Sequence, residues 1–155
     1  MQSALDPLFP DGGRYYFKSH FMDELSDDAI GALVACSSAR PNEESLIVIR
    51  TLGGAIARVP ADDSAYPHRD ARFNVSIDGA WSDPGDDTAV ITWARHAWDK
   101  MRPFANGAVY VNFAGFDDEH DVTSREIFGP NLARLERIRA EYDPGRLVAA
   151  AARRS

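Results

Sequence analysis

Six residues of chemistry-bearing type fall on one side of two alternating runs. In residues 72–78, Arg72, Asn74, Ser76 and Asp78 alternate with Phe73, Val75 and Ile77; in residues 109–113, Tyr110 and Asn112 alternate with Val109, Val111 and Phe113. A period of two sends the apolar members toward a core and the polar members to the opposite face of a sheet. A face that gathers a phenol, amides, a hydroxyl, a guanidinium and a carboxylate has the groups to hold an organic ligand. The same pattern describes the wetted face of an antiparallel sheet, which is the commoner arrangement. Tyr15 or Tyr16, from an aromatic run at residues 14–21, joins this face according to the strand register.

Other candidates are weaker. His68, Arg69 and Asp70 can do acid–base work, but such a trio more often forms an ion-pair brace that ties a loop to a sheet. Asp117, Asp118, Glu119, His120 and Asp121 carry cation-binding groups without the spacing of a calcium loop, and read as a solvated acidic loop. Asp83, Asp86 and Asp87 suit the positive end of a helix. Cys36 has no activating motif beside it and reads as a small buried hydrophobe. No zinc, Ser-His-Asp or phosphate-loop pattern is present, so no metal site is expected.

The elements that must position these groups follow from periodicity. Residues 14–21 form an aromatic strand with one polar side. Ser26 caps a helix whose stripe is Ile30, Leu33 and Val34, closed by Arg40-Pro41. Residues 46–52 (LIVIRTL) read as a buried strand, and Gly53-Gly54 turns it into a second run at residues 55–59, a hairpin. After a loop at residues 60–70 come the alternating strand at residues 72–78 and a helix opened by Asp83-Pro84. That helix carries Val90, Ala94, Ala97, Trp98 and Met101 on one stripe, with Trp93 at its margin, and Pro103 ends it. A strand at residues 109–113 precedes a last helix with the stripe Leu132, Leu135 and Ile138. The sum is an α+β fold, with helices packed on one face of a mainly antiparallel sheet.

Composition bounds the class. The 155 residues carry 24 acidic and 17 basic side chains, a net charge of −7, with 45% hydrophobic residues and one cysteine. That predicts a single soluble, cytoplasmic domain without a disulfide framework. Scattered Lys and Arg in an acidic chain argue against nucleic acid or an anionic membrane as partners. No apolar stretch approaches the roughly 20 residues that span a bilayer, and the Pro/Gly-rich start has no signal-peptide character.

Seven segments taken together resemble a known family. They are RYYFKSHF from Arg14, ELSDDAI from Glu24, LGGAIARVP from Leu52, AYPHRDARFNV from Ala65, the stretch from Trp81 to Asp87, PFANGAVYVNF from Pro103, and FGPNLARL with EYDP near the end. In this order they resemble the C-terminal part of FAD-linked oxidases of the berberine bridge enzyme type. Bacterial members are most similar, in a group that includes glucooligosaccharide oxidases and aclacinomycin oxidoreductase. The resemblance covers residues 14–145, as a substrate-domain portion followed by the berberine-like segment. Residues 1–13 form a loose arm, and residues 146–155 depart from the family's usual tail.

The resemblance implies FAD as cofactor, held in the family by an N-terminal domain, often through a His and a Cys. The Gly-rich region of that domain has no counterpart here, and Cys36 does not match the linking cysteine. Tyr110, in a Tyr-x-Asn motif with Asn112, matches the tyrosine beside the flavin that takes a substrate hydroxyl proton. Tyr66, in Tyr-Pro-His-Arg, looks like a second active-site tyrosine, with a packed loop aromatic as the alternative. A phenol, with an ordinary pKa near 10, serves as base only where neighbours stabilise its anion.

Three functions remain open. The first is a flavoenzyme part acting on a sugar-, alkaloid- or polyketide-like substrate, with its flavin domain supplied in trans. The second is a flavin-independent, redox-neutral cyclase or isomerase. The third is a non-catalytic binding or scaffold remnant. Each would leave a partly apolar face in water, so a homodimer or a separate flavin-domain partner is expected to cover it.

Overall fold

The computed structural model describes residues 9–115, 124–145 and 147. The expectations for the acidic loop at residues 117–121, most of the N-terminal arm and the divergent tail lie outside these residues.

The sheet has three antiparallel strands in the order β1-β3-β2, with β1 at Arg14–Met22, β2 at Leu46–Thr51 and β3 at Phe73–Trp81. Helices α1 (Asp27–Ser38) and α3 (Asp87–Met101) pack on one face, as the α+β reading expects. A single turn, α2 (Ala55–Arg58), and two later helices, α4 (Ser124–Phe128) and α5 (Leu132–Tyr142), lie outside that layer.

β3 is the centre of the sheet because its neighbours pair both of its edges. Its odd-numbered side, Phe73, Val75 and Ile77, packs under α1 and α3, and the stripe of α3 meets it with every expected member buried. Trp93 is also buried, and its indole N–H donates to the Cys36 carbonyl at 2.9 Å, joining α3 to α1. Gly79 lets α3 approach closely: a Cβ there would stand 2.8 Å from Val90 Cγ1 and 3.1 Å from the Tyr16 carbonyl. Ser26 caps α1 by accepting from the Ala29 amide, as its position predicts.

The register settles which tyrosine joins which face. Tyr16 pairs with Gly79 and His20 with Val75, so Tyr16, Lys18, His20 and Met22 turn toward the helices, while Tyr15, Phe17, Ser19 and Phe21 take the other side. The polar-looking side of β1 is therefore a core side. Trp98 makes this possible: His20 stacks on its ring at 4.8 Å, Lys18 Nζ sits 4.3 Å from the ring centroid, and the Trp98 carbonyl bonds His20 Nε2 at 2.9 Å. Burial pushes the His20 imidazole below its ordinary pKa, so a neutral ring is held there.

Several expectations fail for identifiable reasons. Residues 55–59 do not form a hairpin strand; β3 takes the pairing edge of β2, and the positive φ at Gly53 and Gly54 turns the chain into α2. β2 is an edge strand with Ile49 46% exposed, rather than a buried one. In α1 the inward stripe is Ala29, Leu33 and Cys36, so Leu33 is buried as expected while Ile30 and Val34 are exposed. The α5 stripe is half-buried at Leu132 and Leu135 and exposed at Ile138. Residues 111–113 form a 3-10 turn instead of a strand.

Candidate functional site

On the face away from α1 and α3, the even-numbered side of β3 meets Arg50 of β2 and Phe17, Ser19 and Phe21 of β1. Three further pieces rise over this face to make a concave cleft of about 670 Å³. They are the segment after β2 with Leu52 and Ile56, the loop from Ala65 to Arg69, and residues 109–113 with the end of α4.

Residues 105–114 run along the free edge of β1 without forming a ladder. The Phe21 amide donates to the Ala108 carbonyl at 3.1 Å, and the Asn106 amide to the Phe21 carbonyl at 3.0 Å. Next, the Ser19 hydroxyl accepts the Tyr110 amide at 3.3 Å in place of a backbone carbonyl. With regular pairing interrupted there, the 3-10 turn closes through the Phe113 amide and the Tyr110 carbonyl at 2.9 Å. Strict alternation is lost as a result. Val109, Tyr110, Val111 and Phe113 all line the cleft, and Asn112 lies outside it, donating through Nδ2 to the Tyr110 hydroxyl at 3.1 Å.

The Tyr66 ring stands edge-on to Tyr110 with centroids 6.2 Å apart, and Phe21 packs beneath both. Tyr66 is positioned by Arg69, whose Nε donates to its carbonyl at 3.1 Å while the guanidinium lies 4.7 Å from its ring centroid. Burial pushes the Tyr66 phenol above its ordinary pKa, with Arg69 opposing only in part. Tyr66 is thus held protonated, as a hydrogen-bond donor and not as a base. Tyr110, with its hydroxyl oriented by Asn112, has the geometry to exchange a proton with a ligand.

His68, Arg69 and Asp70 do not form the expected ion-pair brace. His68 Nε2 bonds the Ile127 carbonyl at 2.7 Å and ties the loop to α4, while Arg69 also engages Ser64 Oγ at 2.8 Å; no ion pair joins Arg69 to Asp70. Burial lowers the His68 pKa, favouring the neutral ring.

Of the four polar residues expected on β3, Asn74 lines the cleft, and Ser76 and Asp78 lie buried beneath its wall. Arg72 is exposed at the end of the strand, its guanidinium over Phe73, and takes no part. The face is not simply wetted: Asn74, Ser76 and Asp78 are all at most 4% exposed. Arg50 connects the last two, donating from Nη1 to Ser76 Oγ at 2.6 Å, with Nη2 3.7 Å from Asp78 Oδ2. Sequence reasoning passed over Arg50, although it is the one charged residue inside LIVIRTL. A guanidinium in an otherwise apolar strand was the available signal.

The described residues do not fit FAD as a whole. Gly53-Gly54 is a glycine turn leading from a strand into a helix, but α2 is a single turn and offers no extended helix end for phosphate. Among the described residues no cluster of His, Cys, Asp and Glu can hold a metal ion, and no helix is long and apolar enough to cross a membrane.

Comparison with known proteins gives this cleft a context. Residues 109–148 match the family model described as berberine and berberine like, which includes the Tyr110–Phe113 wall. An uncharacterized FAD-linked oxidoreductase of Bacillus subtilis, YvdP, is 29% identical over 145 residues, covering 90% of this chain and 32% of that protein. The chain is thus similar to part of FAD-linked oxidoreductases and carries a berberine-like segment at residues 109–148. Its berberine-type fold is shared with Physcomitrella patens BBE-like 1, at a TM-score of 0.75 and 21% identity over 85% of this chain and 28% of that one. Aclacinomycin oxidoreductase gives a TM-score of 0.74 at 19% identity, over 85% of this chain and 30% of that one. The chain spans about a third or less of the length of the proteins it matches.

Proposed function

We propose that the cleft is the substrate-facing half of an FAD-linked oxidoreductase site, and that the polypeptide holding the flavin lies outside this chain. The observation that carries this reading is the pairing of Tyr66 and Tyr110 across the cleft, 6.2 Å between ring centroids, on a fold shared with flavin-linked relatives. When bound, a flavin would supply the acceptor for substrate oxidation; this chain's part is to hold the organic substrate and manage its proton. Tyr66 donates a hydrogen bond to a ligand oxygen. Tyr110, its oxygen steadied by the hydrogen bond that Asn112 donates, relays the proton of a ligand hydroxyl, accepting it as its own phenolic proton passes to water at the open cleft. Asn74 adds a polar group to the wall, while Ile56, Val109 and Ile127 supply apolar surface.

A flavin-carrying polypeptide, or failing that a second copy of this chain, covers the cleft side. Exposed Val111 and Ile56 at the cleft, with Ile138 and Tyr142 on α5, favour such a cover. The same tyrosine pair suits a redox-neutral proton transfer, so a cyclase or isomerase is the second reading.

The ligand role is tested by tyrosine-selective NMR, with Tyr66→Phe and Tyr110→Phe assigning the two signals. Adding 1-naphthalenemethanol, a ring bearing one hydroxyl, is expected to shift the Tyr66 and Tyr110 resonances and leave exposed Tyr142 unmoved. No shift, or shifts at Tyr142 alone, would contradict the assignment.

A further inference from the structure

The charge on the cleft wall differs in sign from that of the molecule. The chain carries −7 overall, yet among the described residues the cleft is lined by Arg50, Arg69 and His68 and by no carboxylate. The two guanidiniums are not equivalent. Arg69 is committed to the protein: Nε to the Tyr66 carbonyl, Nη1 to the Ile56 carbonyl and Nη2 to Ser64. Among the described residues Arg50 makes one hydrogen bond, to Ser76 Oγ at 2.6 Å, out of the five N–H donors a guanidinium offers.

Asp78 is the natural counter-ion of Arg50, but it stands 3.7 Å away, beyond hydrogen-bond reach. Its carboxyl is 2% exposed, its Oδ1 has no hydrogen-bond partner, and burial pushes its pKa up. The Arg50 side chain, in contrast, is 39% exposed. Its guanidinium lies 5.0 Å from the Phe113 ring centroid, which fixes the plane from which its remaining donors project. A fixed, incompletely matched guanidinium beside Phe113, Tyr110 and Tyr66 is built for a carboxylate on a flat ring system, because the fork donates to both carboxylate oxygens.

We propose that the cleft selects an aromatic organic acid, with Arg50 receiving the carboxylate while the ring packs against Tyr66, Tyr110 and Phe113. This rests on the cleft being a ligand site and is independent of whether the reaction is oxidative.

The test compares two probes of one shape, 1-naphthoate and 1-naphthalenemethanol, by calorimetric titration of the full chain near neutral pH in physiological salt. A charge-assisted contact predicts that the acid binds about 10-fold more tightly or better. In Arg50→Gln the ratio of the two affinities falls to within about threefold of unity, and Arg50→Lys retains only part of the preference because the fork is lost. Circular dichroism confirms that each variant is folded, and the two-probe comparison on the unaltered chain needs no variant. Equal affinities in the unaltered chain, or a preference that survives Arg50→Gln, would overturn the proposal while leaving the cleft a ligand site. If neither probe moves the Tyr66 and Tyr110 resonances, the ligand-site reading falls and this proposal with it.

Discussion

Tyr66 and Tyr110 show how two residues of one type are given different work by their surroundings. Tyr66 is desolvated by the protein around it, which keeps its proton on against the partial opposition of Arg69 over its ring. Tyr110 has its hydroxyl oxygen tied to Asn112 and is placed by a bond from its own amide to Ser19. His68 has a comparable constraint, and its consequence is measurable. Its pKa in the fold lies below the ordinary 6.5, so the unfolded chain takes up a proton before the folded one does. The stability this contributes is present above about pH 6.5 and is lost as pH falls toward the folded value; buried His20 acts in the same direction. The thermal midpoint is therefore expected to fall between about pH 7.5 and pH 5.5. In His68→Gln, whose amide can still donate to the Ile127 carbonyl, that fall becomes shallower. An unchanged slope would show that His68 is not held neutral.

At the level of elements, packing of α3 on the sheet carries the fold, and Gly79 is its narrowest point. A Cβ in that position would meet Val90 Cγ1 and the Tyr16 carbonyl from opposite layers. Gly79→Ala is expected to cost about 1–3 kcal/mol in chemical denaturation, the range for overpacking a filled interior, and a neutral result would mean that the layers can part freely. Where period and burial coincide, elements were legible from the residues alone: the α3 stripe, the Ser26 cap and the β3 alternation all appear in the fold. What escaped depended on contacts distant in sequence. The inward turn of Lys18 and His20 requires Trp98, roughly eighty residues away, to receive them. The 3-10 turn at Val111–Phe113 follows from a Ser19 hydroxyl, and α2 from the prior claim of β3 on β2. At the site, Asn74 and the two tyrosines were visible in pattern or resemblance. Arg50 was hidden because a single charge in an apolar run states its partners only once Ser76 and Phe113 are in place.

For the whole molecule, the described residues supply one cleft wall, and the glycine turn before α2 offers no extended helix end for phosphate, while the match to a relative described as an FAD-linked oxidoreductase takes in 90% of this chain and 32% of that protein. Its exposed apolar side chains at the cleft and on α5 are those expected of a surface that another polypeptide covers. The two functional readings therefore separate on what accompanies the chain. The most direct measurement is the visible absorption spectrum of the protein purified under mild conditions from the cells that naturally make it, set beside that of the chain produced alone. The oxidoreductase account predicts a flavin spectrum in the natural assembly and a colourless chain by itself. A colourless natural assembly would contradict it and leave the tyrosine pair to redox-neutral chemistry.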